Sequence, residues 1–294
     1  MGRRDCRLAG PGLCPIAERP QMREPMIDLR GRVTLVCVEN RRLELAMHAL
    51  RRSTAQLRFH DVLLFTDQDW QAENINIIRC KPIRSAEDYS RFMLSDFHRH
   101  IRTPHFLVTQ WDGFVLNPAK WRDDFLDWDY IGAPWPYFDD LVGNGGFSLR
   151  SVRLHQAVQT LDTNECHPED LFICQKHRLH LETLGMRFAP AKLAHAFSAE
   201  TGGFERQPFG FHRFENFNEA HDEVTLTAYL RTMPDDILLS LEARRLLKQS
   251  LLRRRWAAAL AITKRRLSGP WEMRINTLSV LLRYGLRGLF ARRR

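Results

Sequence analysis

Apolar runs that include β-branched residues recur along the first half of the chain and predict the strands of a sheet. The runs cover residues 33–38, 62–65, 75–78 and 106–110. Their length suits buried strands better than helices. Between them, residues 43–50 and 86–101 carry apolar positions three and four apart, the spacing of helices packed by one face. This alternation predicts an α/β fold with a mostly parallel sheet flanked by helices.

Polar residues stand directly after several of these runs, where each predicted strand ends. Glu39 and Asn40 follow the first strand, Asp67 follows the second, and Gln110 and Asp112 end the run before a glycine. In an open α/β sheet, ligands bind outside the carboxyl ends of the strands. Alternate strand residues point the same way, and a carboxylate at such an end can hold a divalent cation. We therefore expect a ligand site at this edge.

A glycine-rich segment precedes another predicted strand. Gly145 and Gly146 lie within the GNGG sequence at 143–146. Glycine removes a β-carbon where another group must approach the backbone, and it also marks β-bulges. Both explanations are open on the residues alone.

The positive charge of the chain is concentrated in its last part. The 294 residues carry a formal net charge of +9, and 44% of them are hydrophobic, enough for one sizeable core. Residues 243–294 contain 15 Lys or Arg and a single acid, Glu272. The rest of the chain is therefore mildly acidic, and we expect no nucleic acid partner.

Cysteine spacing and hydropathy indicate the compartment. The six cysteines form no CxxC pair, and Cys37 and Cys80 lie in or beside apolar strands. This favours reduced thiols in a cytoplasmic protein. No run of 18 apolar residues is present, so no spanning helix is expected. Residues 1–32, rich in Pro, Gly and charge and without an apolar signal stretch, are predicted to be disordered.

Five motifs together resemble a known family. They are QWDGFVLNP at 110–118, DYIGAPWP at 129–136, GNGGFSLRS at 143–151, PEDLFIC at 168–174 and FGFH at 209–212. Over residues 33–217 the chain resembles a bacterial and fungal family, described mainly as a domain of unknown function, that is placed among GT-A-type glycosyltransferases. The resemblance implies a Rossmann-like GT-A fold. It also implies sugar transfer from a UDP- or GDP-sugar to a hydroxyl of a glycan or lipid-linked acceptor, as in polysaccharide biosynthesis.

The resemblance also implies a metal. In GT-A enzymes a strand-end acidic motif, usually DxD, binds the cation that grips the diphosphate of the donor. Asp112 matches this motif, and His212 resembles the late histidine that acts as a second ligand of Mn²⁺ or Mg²⁺. Gln110 stands where the first acid would be, and we retain it as a donor contact. This difference keeps a metal-independent or non-catalytic sugar-nucleotide-binding protein as an alternative.

Other donor contacts follow from the same reading. We expect Glu39, Asn40 and Asp67 to contact the base and the ribose. Arg91 lies on the predicted helix before the metal strand, which often touches the nucleotide in GT-A proteins. It would bind the diphosphate, and the alternative is a solvated helix face.

The transfer, taken as inverting, needs one carboxylate to accept the proton of the acceptor hydroxyl. Asp170 is our first choice, and Glu169 is the second, with binding of an acceptor hydroxyl as its other role. The helix dipole alone also favours acids at a helix start. Trp135 would stack on an acceptor sugar or anchor a surface loop. Gly145 and Gly146 would lie against the donor sugar.

A basic helical tail at 237–294 is predicted to follow the GT-A-like domain at 33–236. Its apolar positions include Trp256, Leu260, Trp271, Ile275, Leu278, Leu282, Leu286 and Phe290. A basic helix with such a face can lie in an anionic membrane interface. We expect peripheral binding to the inner face of the cytoplasmic membrane. The alternatives are a solvated or subunit-contacting helix and, for the whole chain, a membrane-surface adaptor that binds no nucleotide.

Overall fold

The computed structural model describes residues 26–137 and 142–285, apart from the side chain of Asp96. Two compact units are present, one at Glu24–Asn216 and one that contains Phe217–Arg294. The division therefore comes before the predicted boundary at residue 236, because short helices that precede this boundary belong to the same unit as the tail.

The first unit alternates strands and helices, as predicted. Its strands are β1 (Ile27–Leu29), β2 (Val33–Val38), β3 (Leu57–Phe59), β4 (Val62–Thr66), β5 (Asn76–Arg79), β6 (His105–Thr109), β7 (Phe114–Val115), β8 (Tyr130–Ile131), β9 (Phe147–Ser151), β10 (Ser198–Ala199) and β11 (Gly210–Phe211). Its helices are α1 (Leu43–Thr54), α2 (Ala86–Met93), α3 (Val152–Val158), α4 (Glu169–Leu171), α5 (Arg178–Thr183) and α6 (Ala191–Phe197).

The largest sheet has the strand order β5-β4-β2-β6-β9-β8. Strands β5, β4, β2 and β6 run parallel, whereas β9 is antiparallel to β6 and to β8. One small sheet pairs β1 with β3, and another has β11 between β10 and β7. The predicted α/β class with a mostly parallel sheet is confirmed.

The antiparallel β9 brings the glycine segment to the edge where β2 and β6 end. Cys37 of β2 pairs with Thr109 of β6, and Thr109 pairs with Phe147, the first residue of β9. Parallel strands end at a common edge, and an antiparallel neighbour starts there. Residues after β2, after β6 and before β9 therefore meet in one region.

Strand β2 is apolar at every position except Thr34, because both of its faces are buried. Leu35 and Cys37 pack with α1 in one cluster of the core. Val36 packs in another cluster with Met93 and Phe97, on the opposite face of the sheet. The alternation of side chains along one strand thus builds two layers of core.

The helix predicted over residues 86–101 is shorter in the structure. Helix α2 ends at Met93, and a separate 3₁₀ turn covers Asp96–His100. Ser95 Oγ donates a hydrogen bond to the carbonyl oxygen of Phe92 at 2.7 Å. This local bond offers the chain an alternative to continuing the helix.

Order begins before residue 33, the expected start of the folded domain. Strand β1 lies within the segment predicted to be disordered, since Leu29 is buried and β1 pairs with β3. Residues 1–25 lie outside the described residues, as do Cys6 and Cys14. Cys37, Cys80, Cys166 and Cys174 are free thiols, and burial raises the pKa of Cys37.

The second unit is helical over its described residues. Its helices are α7 (Phe217–Ala220), α8 (Glu223–Thr232), α9 (Asp235–Leu238), α10 (Leu241–Leu252), α11 (Trp256–Leu267) and α12 (Trp271–Val280), followed by a π turn at Leu281–Gly285. Leu230, Leu246 and Ile262, from three of these helices, are fully buried. No helix in the described ranges has both the length and the apolarity needed to cross a bilayer.

Candidate active site

A cleft of about 690 Å³ lies at the edge where β2 and β6 end and β9 begins. It is lined by residues 38–42, 83–86, 89–90, 110–111, 135–137, 144–146, 167–171, 200–201 and 212–213. The predicted site residues among them are Glu39, Asn40, Gln110, Trp135, Gly145, Gly146, Glu169, Asp170 and His212. The volume is typical of a small-molecule site.

Gln110 and His212 line one corner of this cleft, and Asp112, which does not line it, lies behind them against His212. His212 Nε2 lies 3.1 Å from Gln110 Oε1 and 3.4 Å from Asp112 Oδ1. The second distance is an ion-pair contact, and Asp112 Oδ1 is buried with no hydrogen-bond partner in the part of the chain that the structure describes. The other oxygen, Oδ2, accepts a hydrogen bond from the backbone N–H of Phe214 at 3.3 Å. Asp112 thus reaches the cleft through His212.

Two carboxylates flank the His212 imidazole. Glu200 Oε2 lies 3.6 Å from Nδ1, and Asp112 lies on the Nε2 side. Burial alone would lower the pKa of His212, but the two acids outweigh it and raise the pKa to about 10. Burial opposes ionisation of Asp112 and Glu200, yet the imidazolium holds the pKa of each below its ordinary value. The imidazolium of His212 is therefore balanced by the two carboxylates that flank it.

Close packing requires glycine at positions 145 and 146. A Cβ at Gly146 would lie 2.3 Å from His212 Nε2, and one at Gly145 would lie 2.3 Å from Glu169 Oε1. Both distances are far inside van der Waals contact. The glycine segment therefore connects the Asp112 corner, through His212, to the carboxylate wall of the same cleft.

Asp170 and Glu169 occupy different environments. Asp170 is partly exposed; Oδ2 accepts from the N–H of Gly145 at 3.1 Å, and Oδ1 accepts from the N–H of Leu171 at 2.8 Å. Glu169 is only 5% exposed, and its Oε1 accepts from the Arg150 guanidinium at 2.9 Å. Burial raises the pKa of Glu169, and Arg150 opposes this. Of the two acids, Asp170 is the one an acceptor can reach.

Glu39 and Asn40 lie at the end of the cleft next to β2. One oxygen of Glu39 accepts from the backbone N–H groups of Arg41 and Arg42, at 2.8 and 3.0 Å. This carboxylate therefore shapes the loop before α1 as well as lining the cleft. Asn40 Nδ2 is buried without a hydrogen-bond partner among the described residues. A buried unpaired donor of this kind calls for an explanation, and a ligand supplies one.

Asp67 and Arg91, two of the expected donor contacts, do not line the cleft. Asp67 follows β4, which β2 separates from β6, and it accepts a hydrogen bond from Gln68 Nε2 at 2.7 Å. Arg91 lines a different cavity, of about 540 Å³. Each residue turns a helix by about 100°, so α2 presents Tyr89 to the cleft and Arg91 elsewhere.

Trp135 is both anchored and accessible from the cleft. Its Nε1 donates to Asn144 Oδ1 at 3.1 Å, and a Cβ at Gly143 would lie 2.0 Å from its ring. Asn144 adopts a left-handed φ of 51° to make this contact. The exposed Tyr137 lines the cleft nearby. Residues 138–141 lie outside the described residues.

Four arginines that the sequence reading did not select also line the cleft: Arg41, Arg42, Arg84 and Arg213. The guanidinium of Arg42 lies over the ring of Trp111, 5.2 Å from its centroid. Arg41 and Arg42 follow the Glu39-Asn40 pair at the end of the first long strand, a pattern that could have indicated phosphate binding, because guanidinium groups suit phosphates. Arg84 lies in a loop without a comparable pattern.

The corner has donor atoms that suit a divalent cation. Within the described ranges, no group of three or more His, Cys, Asp or Glu side chains is arranged to hold a metal ion. Two such side chains are present, Asp112 and His212, with Gln110 Oε1 as a neutral oxygen beside them. The buried and unbonded Asp112 Oδ1 fits a ligand atom. Sites for Mg²⁺ often use one or two protein groups and complete the shell with phosphate oxygens.

Comparison with known proteins gives a matching family and several similar folds. Residues 72–212, slightly less than half of the chain, match a family described as "Protein of unknown function (DUF5672)". No curated protein matches the sequence. Several similar solved structures are glycosyltransferases. One acts in glycosylation of the major capsid of PBCV-1, at 12% identity and a TM-score of 0.37, covering 62% of this chain and 92% of that one.

Two further solved glycosyltransferase structures have similarly low sequence identities and TM-scores. The mannosyltransferase PcManGT from Pyrobaculum calidifontis, in complex with GDP-Man and Mn²⁺, is 10% identical with a TM-score of 0.37, covering 90% of this chain and 78% of that one. The apo glycosyltransferase GlyE from Streptococcus pneumoniae TIGR4 is 16% identical with a TM-score of 0.35, covering 62% and 54%. Function must therefore be inferred from the residues of the site.

Proposed function

We propose that the chain transfers a sugar from a nucleotide-sugar donor to a hydroxyl of a glycan or glycolipid acceptor. One observation carries this: a single cleft joins the corner of Gln110, Asp112 and His212 to the Asp170 carboxylate through the Gly145–Gly146 backbone. Displacement at an anomeric carbon needs charge stabilisation for the leaving diphosphate and a base for the attacking oxygen. The two parts of the cleft supply these two functions.

Donor binding is assigned to the end of the cleft next to β2. Arg41, Arg42 and Arg84 would hold the diphosphate, because guanidinium groups bind phosphate oxygens bidentately. Asn40 Nδ2, which has no hydrogen-bond partner within the described ranges, and the carboxylate of Glu39 would contact the base or ribose of a UDP- or GDP-sugar.

Proton removal is assigned to Asp170. Each oxygen of its carboxylate accepts one backbone N–H, which fixes the group and leaves lone pairs for the acceptor hydroxyl. Trp135 and Tyr137 offer apolar ring faces where an acceptor sugar would stack. The attacking oxygen would lose its proton to Asp170 as it reaches the anomeric carbon, in an inverting transfer.

Asp112 and His212 would hold Mn²⁺ or Mg²⁺, which neutralises charge on a departing diphosphate. His212 must lose its proton to act as a ligand. With the proton, its imidazolium is neutralised by Asp112 and Glu200, and the positive charge for a diphosphate would come from Arg41, Arg42 and Arg84, which line the cleft. This observation favours the second candidate, a protein that binds sugar nucleotides without a metal.

The direct test of the proposal is a panel of sugar nucleotides incubated with the intact protein, with Mn²⁺ and with EDTA. We expect release of the nucleoside diphosphate from at least one UDP- or GDP-sugar, faster with Mn²⁺, since the residues of the corner fit a metal. Equal release in EDTA would support the metal-independent candidate. Absence of release from every donor, with or without glycan acceptors, would contradict the enzymatic assignment.

We also propose, for the second unit, peripheral binding to anionic lipid at the inner face of the cytoplasmic membrane. What supports it is the outer side of α12 and its π turn. Trp271, Ile275, Leu278 and Leu282 are 68%, 51%, 48% and 73% exposed and recur at spacings of four and three. Basic residues outnumber acidic ones over 217–285, which disfavours self-association and favours an anionic surface. Leu286 and Phe290 lie outside the described residues.

Co-sedimentation with vesicles of anionic and of neutral lipid tests this second proposal. We expect the intact protein to bind the anionic vesicles, and Leu278→Glu to reduce binding by about tenfold or more, since a buried leucine contributes about 1.5–3 kcal/mol. Val224→Glu is the matched control, because Val224 is 79% exposed on α8. Equal binding by both variants, or none by the intact protein, would contradict the proposal.

A further inference from the structure

The guanidinium of Arg150 is buried beside the cleft. Arg150 lies in β9, is fully buried, and packs over the ring of Tyr130 at 5.0 Å from the centroid. Removing a charged group from water is costly unless it is paired and hydrogen-bonded. The contacts of this side chain therefore decide what it contributes.

Arg150 holds two parts of the cleft wall at once. Its Nη2 donates to Glu169 Oε1 at 2.9 Å and to the carbonyl oxygen of Gly145 at 3.3 Å. Its Nε donates to Ser148 Oγ at 2.9 Å, and that hydroxyl donates to the same Gly145 oxygen at 2.9 Å. The Gly145 carbonyl is therefore fixed by two donors.

The close contact between Gly145 and the Arg150–Glu169 ion pair requires glycine at position 145. A Cβ at Gly145 would lie 2.6 Å from Arg150 Nη2 and 2.3 Å from Glu169 Oε1. The pair thus packs directly against the Gly145 backbone, which lines the cleft. Any shift of the guanidinium would be transmitted to that backbone.

The other polar group of Gly145 holds the candidate base. Its N–H donates to Asp170 Oδ2 at 3.1 Å. One residue thus accepts from Arg150 at its carbonyl and donates to Asp170 at its amide. The neighbouring Gly146 packs against His212, so the same backbone segment borders both halves of the cleft.

We propose that Arg150 is a positioning residue, which acts through the backbone of Gly145 to aim the Asp170 carboxylate at the acceptor hydroxyl. This inference rests on the proposed function and names a residue that the reaction depends on without touching the substrate. Productive geometry tolerates only about 0.5 Å of displacement. A misplacement of about 1 Å can lower a rate about 100-fold.

A purely structural ion pair is the rival explanation. Loss of a buried partner would then destabilise the fold and reduce the active fraction, whatever residue stands at position 170. A positioning role predicts instead that the loss of kcat depends on which residue stands at position 170. If Arg150 acts through Asp170, replacing Arg150 causes no further loss of kcat in a protein that already lacks the Asp170 carboxylate.

The experiment places Arg150→Lys in the otherwise unchanged protein and in an Asp170→Asn background. Lysine keeps a cation for Glu169 but lacks the planar fork that reaches Gly145 and Ser148 together. We expect kcat to fall about 10- to 100-fold in the first background with little change in donor KM, and no further fall in the second. Arg153→Lys is the matched control, because Arg153 pairs with Asp129 outside the cleft.

An equal loss of kcat in both backgrounds, or no loss in the first, would overturn the inference while leaving the proposed function intact. Wild-type kcat in Asp170→Asn would overturn the base assignment and the inference together. No turnover by the unaltered protein would overturn the proposed function itself. Thermal melting reports folding. If Arg150→Lys does not fold, the double variant Arg150→Met with Glu169→Gln, which removes both charges of the ion pair, is compared with Glu169→Gln alone. The comparison is made with Asp170 intact and in the Asp170→Asn background. The same outcomes then support or overturn the inference.

Discussion

Replacement of Asp170 by Asn is expected to lower kcat for sugar transfer by about 10²- to 10⁴-fold, the usual contribution of a positioned base. Asparagine keeps the shape of the side chain but cannot accept the proton of the acceptor hydroxyl. Donor binding should stay within a few-fold, since Asp170 contacts Gly145, before β9, whereas the assigned donor contacts Glu39 and Asn40 follow β2. Steady-state kinetics with varied donor and acceptor separates the two effects.

The design of this experiment must exclude loss of structure. The substituted asparagine can accept from only one of the two N–H groups that Asp170 now satisfies, which costs about 1–3 kcal/mol of stability. Thermal melting therefore accompanies the kinetics. Asp162→Asn is the matched control, because Asp162 is exposed and does not line the cleft. An Asp170→Asn protein that is folded and fully active would show that another group removes the proton.

Replacement of Asp112 by Asn is expected to lower kcat/KM with Mn²⁺ by about 10²- to 10³-fold. A metal at a departing diphosphate contributes several kcal/mol, and each 1.36 kcal/mol is a factor of about ten in rate. Asp112 Oδ1 is the buried carboxylate oxygen next to His212 Nε2, so its loss removes an anionic ligand. The measurement is initial rate against Mn²⁺ concentration for both proteins.

Asp67→Asn is the matched control for this second variant. Asp67 also follows a strand of the parallel sheet, but its side chain accepts a hydrogen bond from Gln68 Nε2, whereas Asp112 contacts His212 of the cleft. Replacement of Asp67 should leave kcat/KM unchanged. If Asp112→Asn retained the full stimulation by Mn²⁺, the assigned corner would not be the place where the metal acts.

Much of the fold follows from apolar runs that can be read directly. The runs at 33–38 and 106–110 are continuous because β2 and β6 are covered on both faces, and such strands form the centre of a parallel sheet. Residues at their carboxyl ends then share one edge. The placement of Gln110, Glu39 and Asn40 in one cleft was predictable for this reason.

The rotation of α2 about its axis and the side chains that contact the site residues were not predictable. Arg91 and Tyr89 are two positions apart, and only the rotation of the helix decides which one faces the cleft. Arg150 resembles a surface residue by type, because arginine is rarely fully buried. Glu200, which flanks His212, follows the two-residue strand β10, too short to leave a pattern. Long-range pairing fixes all of these positions.

The measurement that tests the central claim most directly is calorimetric titration of the intact protein with UDP and GDP, with Mn²⁺ and with EDTA. If the Asp112 corner and the Gly145–Gly146 wall form one site for a nucleotide diphosphate, at least one of the two nucleotides binds, Mn²⁺ strengthens the binding, and Asp112→Asn removes that gain. Absence of binding by either nucleotide under both conditions would contradict the account.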